Sequence, residues 1–227
     1  MDIEFCKKLA ALEAIKHVKN HMLLGLGTGS TVFYFIEALI KKSQEGLNVR
    51  CVASSHQSEL LGKKGGLVFA DVQQIEKIDL TVDGADAIDS KSRMIKGGGG
   101  ALLREKILAS ASENVIIIVD ETKVVSTLEK QKVPIEILPF GAKLTQAALM
   151  QRGFSGQWRK DRSGSFYITD NGNYIFDIFY TPTKDSIEHD DLLLKNIPGV
   201  IETGFFLNIA DKVYIGDHNG HVRTLNF

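Results

Sequence analysis

Three glycine-bearing segments carry the side chains of this sequence whose types and spacing suit them to chemistry. They are Gly25-Leu26-Gly27-Thr28-Gly29-Ser30-Thr31, then Asp83-Gly84-Ala85-Asp86, then Lys96-Gly97-Gly98-Gly99-Gly100 with Arg104-Glu105-Lys106 close behind. In the first, glycines let backbone N–H groups approach a ligand, and the start of the following helix favours an anion. The hydroxyls of Thr28, Ser30 and Thr31 add donors beside Gly29, so a phosphate is the expected occupant. The competing reading is an ordinary glycine turn with Ser30 or Thr31 as helix cap. The P-loop pattern is absent, and the dinucleotide fingerprint fails because Ser30 stands where its third glycine belongs. Val52-Ala53-Ser54-Ser55 also occupies the place where that fingerprint expects an acidic residue.

Asp83 and Asp86 follow an apolar strand, which puts two carboxylates at the carboxyl end of a parallel strand, the edge where open α/β sheets bind ligands. An Asx turn closed by Gly84 would explain an isolated Asp-Gly pair equally well. A Mg²⁺ site ranks last, since two carboxylates fall short of the six oxygens that ion prefers. The glycine run is the densest signal. Four glycines in a row cost conformational entropy on folding, so a chain that keeps them ordered needs bare backbone close to a ligand. Lys96 lies on one side of the run and Glu105 on the other, a cation and a carboxylate brought toward one spot. Taken singly, Lys96 would be a surface amine and Glu105 a solvated charge near the favourable end of a helix dipole.

The histidine pairs His17/His21 and His218/His221 have no third ligand nearby, so structural or exposed roles are expected rather than zinc. Ser54, Ser55 and His56 lack a Gly-x-Ser-x-Gly elbow, and Ser54 or Ser55 reads as a helix cap.

The elements that must hold these segments are legible from periodicity. Phe5, Leu9, Leu12, Ile15 and Val18 recur at helical spacing after Asp2, a capping residue. A short strand at 22–24 runs through the glycine loop into a helix at 32–40. Strands at 49–53, 78–82 and 115–119 alternate with helices at 54–65 and 101–112, which argues for a wound parallel sheet. Beyond residue 130 the texture becomes α+β: a strand at 133–137, a helix at 143–151, a hairpin of 166–169 with 174–178 around Asn171-Gly172, and a helix at 185–195. Strands at 213–216 and 222–225 are placed to return to the first sheet. The expected domains are residues 1–129 plus 205–227, and an insertion of 130–204.

Composition narrows the partner. The chain has 227 residues, 44% hydrophobic and 24% charged, enough for a sizeable core. Its 27 basic and 28 acidic residues leave a net charge of -1, with no overall pull toward nucleic acid or a membrane surface. A small, specifically held ligand is the default. Cys6 and Cys51 alone build no disulfide framework, which fits a reducing compartment. The acidic start Met1-Asp2-Ile3-Glu4 lacks the marks of a targeting signal, and no apolar run reaches the length of a membrane span. A cytoplasmic location is expected.

Taken in order, these segments resemble the A-type ribose-5-phosphate isomerase family. Val133-Pro134-Ile135-Glu136, Asp170-Asn171-Gly172-Asn173 and Gly199-Val200-Ile201-Glu202-Thr203-Gly204 agree with it as well. The resemblance covers nearly the whole chain. It implies a Rossmann-like α/β domain carrying a smaller ferredoxin-like α+β domain, a homodimer or homotetramer, and interconversion of ribose 5-phosphate and ribulose 5-phosphate without cofactor or metal. Carried over by position, it makes Glu105 the proton acceptor, with Asp83 and Lys96 as its catalytic partners. Substrate contacts fall at Thr28, Gly29, Ser30 and Thr31, at Asp83, Gly84, Ala85 and Asp86, at Lys96, Gly97, Gly98 and Gly99, and at Lys123. Lys7 stands where the family has a lysine reaching the site, from its own or a neighbouring subunit. Ala87 departs from the family's usual Glu. Rival readings are a sugar-phosphate sensor, which would keep the phosphate loop and lose the base, a dehydrogenase, and an amino-sugar enzyme on a similar scaffold.

Overall fold

The computed structural model describes residues 2–183 and 186–227. In chain order the elements are α1 (Ile3–Ala14), β1 (Leu23–Leu26), α2 (Ser30–Gln44), β2 (Arg50–Ala53), α3 (His56–Lys64), β3 (Val68–Phe69), β4 (Leu80–Asp83), β5 (Ala87–Ile88), β6 (Met94–Ile95), α4 (Leu102–Ser110) and β7 (Val115–Asp120). There follow β8 (Lys132–Ile137), α5 (Ala142–Gln151), β9 (Gly156–Trp158), β10 (Tyr174–Phe179), α6 (Ile187–Lys195), β11 (Val200–Thr203), β12 (Phe205–Phe206), β13 (Lys212–Gly216) and β14 (Val222–Asn226). The chain divides into two compact units: residues 1–85, 104–124 and 208–227 form the first, and 86–103 with 125–207 the second. Against an expected insertion of 130–204, the second unit also draws in 86–103.

The first unit is built on a seven-stranded sheet of order β14-β13-β7-β4-β1-β2-β3, parallel except where β14 pairs antiparallel with β13. Strands β1, β4 and β7 are buried along their whole length, as parallel strands are when both faces are covered. On one face Leu24, Leu26, Val82, Ile116 and Ile118 pack against Ala10, Ala11 and Ala14 of α1 and Val32, Phe35, Ile36 and Leu39 of α2. On the other, Leu23, Val52 and Ile78 meet Leu108 of α4. A large side chain so buried contributes about 1.5–3 kcal/mol.

Asp2 caps α1 through its carboxylate, which accepts from the N–H groups of Glu4 and Phe5. The buried stripe of α1 is not the expected one, because Phe5 and Leu12 are exposed while Cys6, Ala10, Ala11 and Ala14 are buried. This helix packs on β7, β13 and α2, where only small side chains allow such an approach. A Cβ added at Gly216 of β13 would come within 2.0 Å of the Cys6 carbonyl oxygen.

The second unit holds an antiparallel sheet of order β11-β8-β10-β9 and a three-stranded sheet of order β12-β6-β5. Val133, Ile135 and Ile137 of β8 point to a core shared with Leu149 of α5 and Leu194 of α6, so by alternation Pro134 and Glu136 take the opposite face. Buried Glu136 accepts through Oε1 from Thr169 Oγ1 at 3.0 Å, Asn171 Nδ2 at 3.1 Å and Asn173 Nδ2 at 2.9 Å. Those bonds anchor the Asn-Gly turn. The expected strand 166–169 does not form: Phe166 and Ile168 make only isolated bridges, to Lys160 and Tyr174, and β10 pairs instead with β8 and β9. The expected helix at 185–195 is α6, capped by Ser186, with Asp185 outside the described residues. Among the described residues no helix is long and apolar enough to cross a membrane.

Candidate active site

In the first unit, β1 ends at Leu26 and the chain turns through Gly27-Thr28-Gly29 into α2. Gly29 adopts φ +117°, a conformation that glycine alone takes without strain, and no side chain caps the helix. The first N–H groups of α2 therefore lack the side-chain acceptor that most helices supply, which leaves them suited to an anion. Ser30, the residue that could have capped this turn, is exposed as the first helical residue, and Thr31 is buried.

Asp83 closes the same corner from β4. It is only 2% exposed, and its Oδ1 accepts from the N–H groups of Thr28 at 3.1 Å and Gly84 at 2.7 Å. Gly27 must be glycine for this arrangement, since an added Cβ would lie 2.0 Å from Asp83 Oδ1. The structure therefore joins the first and second glycine-bearing segments directly. Two serines support the corner in ways the sequence reading did not foresee. Ser54 Oγ lies 2.7 Å from Thr28 Oγ1, and Ser58 Oγ donates to the Gly27 carbonyl at 2.6 Å. Ser55 is the cap of α3.

Glu105 lies in the first turn of α4 and is 4% exposed, so the picture of a solvated helix charge does not hold. Lys123 sits in a single 3-10 turn after β7, partly buried, with Asp120 capping that turn through the Thr122 N–H. Lys7 is engaged locally, its ammonium 2.7 Å from the Glu4 carboxylate one helical turn away.

In the second unit, Lys96 is 3% exposed, which rules out a surface amine, and its Nζ stands 5.2 Å from the centroid of the Phe206 ring. Its backbone N–H donates to the Gly204 carbonyl at 2.9 Å. The glycine run that follows is a turn: Gly97 has φ +98°, and the Gly100 N–H donates to the Gly97 carbonyl at 2.9 Å. Gly98 and Gly99 are exposed, Gly97 and Gly100 buried. Asp86 accepts the Gly98 N–H through Oδ2 at 2.7 Å.

The carbonyls of the run are held by residues that no local motif marks. Arg159 Nη1 donates to the carbonyls of Gly97 and Gly98, each at 2.9 Å, and Tyr167 Oη donates to the Gly99 carbonyl at 2.9 Å. Tyr167 falls within the strand expected at 166–169, and Arg159 carries no sequence signal. Ala85 is half-buried beside Asp83, and Ala87 is buried in the apolar core of the second unit. Among the described residues no three His, Cys, Asp or Glu side chains gather as metal ligands would.

Cys51 is buried in β2, and loss of solvent pushes its thiol up to about 12. Cys6 is buried too and shifts upward for the same reason, with Glu121 and Asp120 adding to it. Neither thiol is poised as a nucleophile.

Comparison with known proteins agrees on one family. The family model for ribose 5-phosphate isomerase A (phosphoriboisomerase A) matches residues 50–220. Ribose-5-phosphate isomerase A of Protochlamydia amoebophila is 48% identical over 219 residues, 96% of this chain and 94% of that protein. The Listeria innocua protein of the same name is 42% identical, over 96% of this chain and 97% of its own. Among solved structures, ribose 5-phosphate isomerase from Plasmodium falciparum superposes with a TM-score of 0.93 at 39% identity, covering 99% of each chain. A D-ribose-5-phosphate isomerase solved in complex with phospho-erythronic acid gives 0.94 at 38% identity, covering 100% of each.

Proposed function

The chain belongs to the ribose 5-phosphate isomerase A family, which interconverts ribose 5-phosphate and ribulose 5-phosphate in the pentose phosphate pathway, and we propose that Glu105 carries the proton in that reaction. The observation that supports this most is a carboxylate removed from solvent in the first turn of a helix that follows directly on the glycine run.

Moving a carbonyl from C1 to C2 of the open sugar takes a proton from C2, passes through an enediolate, and returns a proton to C1. No electron leaves the molecule. In this reading Glu105 takes the C2 hydrogen as a proton and delivers it to C1 from the same face, a step for which a positioned base contributes ~10²–10⁴-fold. Lys96, aided by backbone N–H groups of the glycine run, stabilises the negative charge that develops on the sugar oxygen, where losing one donor costs on the order of 10²–10³ in rate.

Asp83 moves the hydroxyl proton between O1 and O2 and assists ring opening. Its Oδ1 is oriented by two backbone N–H groups, which supports a role that needs a fixed carboxylate. Asp86 holds sugar hydroxyls. Thr28, Gly29, Ser30, Thr31 and Lys123 hold the phosphate, and Gly84 and Ala85 let the sugar pass close to the backbone. Phosphate binding then serves to orient the reacting carbons. Lys7 is assigned an auxiliary contact, made after release from Glu4. We further read the first unit as Rossmann-like, the second as ferredoxin-like, and the enzyme as a cytoplasmic homodimer or homotetramer.

Turnover of ribose 5-phosphate in ²H₂O tests the proton route. Deuterium at C1 of the ribulose 5-phosphate formed supports a base that exchanges with solvent, and a demonstrated hydride shift between the carbons would contradict it.

A further inference from the structure

Four consecutive glycines form the least constrained backbone a chain can offer, so something outside the run must decide which way its peptide groups face. In a planar trans peptide the carbonyl and the N–H point in opposite directions. The peptide joining Gly97 to Gly98 directs its carbonyl to Arg159 Nη1 at 2.9 Å and its N–H to Asp86 Oδ2 at 2.7 Å. The next peptide directs the Gly98 carbonyl to the same nitrogen at 2.9 Å, so the Gly99 N–H must face away from the guanidinium, as the Gly98 N–H does. Tyr167 then holds the carbonyl of the third peptide. One guanidinium nitrogen thus turns two successive N–H groups away from itself.

Arg159 is itself held. Its Nε and Nη2 donate to the two oxygens of Asp177 at 3.0 and 2.5 Å, and Asp177 is 3% exposed on β10. The guanidinium stands 5.8 Å from the centroid of the Tyr167 ring, which couples the two donors to each other. The planar fork of Arg is what permits a bidentate grip on the carboxylate while a third nitrogen reaches the carbonyls. A lysine ammonium, a point charge, cannot do both.

We infer that Arg159, locked by Asp177 and seconded by Tyr167, is a positioning residue for the isomerisation: it keeps the Gly98 N–H on Asp86 and aims the Gly99 N–H at the sugar oxygens of the substrate. This rests on the reading that the glycine run meets the substrate. Arg159 touches no reacting atom; it acts through the backbone it orients. A misplacement of about 1 Å in such donors costs on the order of 10²-fold in rate.

The test is a kinetic comparison of wild-type enzyme, Arg159→Lys, Tyr167→Phe and Glu105→Gln. It is run with ribose 5-phosphate, and with phospho-erythronic acid as inhibitor, whose carboxylate presents two oxygens as an enediolate does. Arg159→Lys keeps a cation beside Asp177 and should melt near wild type, yet kcat should fall about 10- to 100-fold with KM moving less than about threefold. Inhibition by phospho-erythronic acid should weaken with it, while inhibition by inorganic phosphate should not. Tyr167→Phe removes one hydroxyl and should lower kcat by a smaller factor in the same pattern, which carries the test if Arg159→Lys does not fold. Both variants within twofold of wild-type kcat, or a change confined to KM or to melting temperature, would overturn the inference. Glu105→Gln separates the two levels: if it is inactive while Arg159→Lys is not impaired, only the positioning role fails, and if it is fully active the site reading itself falls.

Discussion

The Thr28 N–H donates to Asp83 Oδ1 at 3.1 Å, tying the first glycine loop to the carboxylate that ends the neighbouring strand. The Gly84 N–H completes the hold at 2.7 Å. Because a Cβ at residue 27 would sit 2.0 Å from that same oxygen, Gly27→Ala cannot be accommodated without moving Asp83. If Asp83 acts as proposed, the substitution should lower kcat/KM for ribose 5-phosphate at least about 100-fold, in line with the cost of misplacing a reacting group. Steady-state kinetics beside a melting curve checks it, and kcat/KM within threefold of wild type would refute it.

Lys96 is a buried ammonium with an aromatic ring 5.2 Å away. Lys96→Met keeps much of the apolar stem and removes the donor, so kcat should drop by on the order of 10²–10³ while the protein remains folded. Retention of half the wild-type rate would show that the developing oxyanion does not depend on it.

Chelation should leave the rate unchanged. Asp83 is committed through one oxygen to two backbone N–H groups and Asp86 to a third. A large loss in EDTA that Mg²⁺ restores would instead make these carboxylates metal ligands.

The stability of the fold should depend on pH through His17 at the acid end and Cys51 at the alkaline end. Burial lowers His17 below its ordinary 6.5, and its Nε2 lies 2.5 Å from Tyr214 Oη. The unfolded chain therefore takes up the proton first, so the stabilisation is present above about 6.5 and is lost as pH falls below it. For Cys51 the raised value has the opposite consequence. The unfolded thiol ionises near 9.0 and the folded one at about 12, so stability is lost as pH climbs through that window. Denaturant midpoints measured across pH, with His17→Gln and Cys51→Ala as controls, should flatten at the corresponding end. A slope unchanged by the substitution would contradict the assignment.

Much of this architecture is readable along the chain because it is local. Strand, glycine loop and helix follow one another within 23–44, and the alternation that continues to Val115–Asp120 predicts the parallel sheet that forms. The misreadings arise where tertiary packing overrides pattern. Phe5 and Leu12 have the right spacing for a buried stripe, but α1 approaches its sheet too closely for large side chains, and alanines take that face. Phe166–Thr169 alternates like a strand, yet Phe166 stacks on Tyr174 with ring centroids 5.0 Å apart and packs edge-on to Trp158. Side-chain contact takes the place of a ladder there.

The three segments of the proposed site stand out along the chain, since glycines near Asp, Lys and Glu leave a local signature. What no local pattern could reveal is their support. Ser54 reaches Thr28 across 26 residues and Arg159 reaches Gly97 across 62. Such partners are defined only once the chain has folded.

The central claim is that one buried carboxylate shuttles the proton, and Glu105→Gln tests it most directly. The variant preserves shape and removes the base. The account predicts a folded protein that still binds phospho-erythronic acid but turns over ribose 5-phosphate at least about 10²-fold more slowly than wild type, and closer to 10⁴-fold if no other group substitutes. A variant that keeps a tenth or more of wild-type kcat would contradict it.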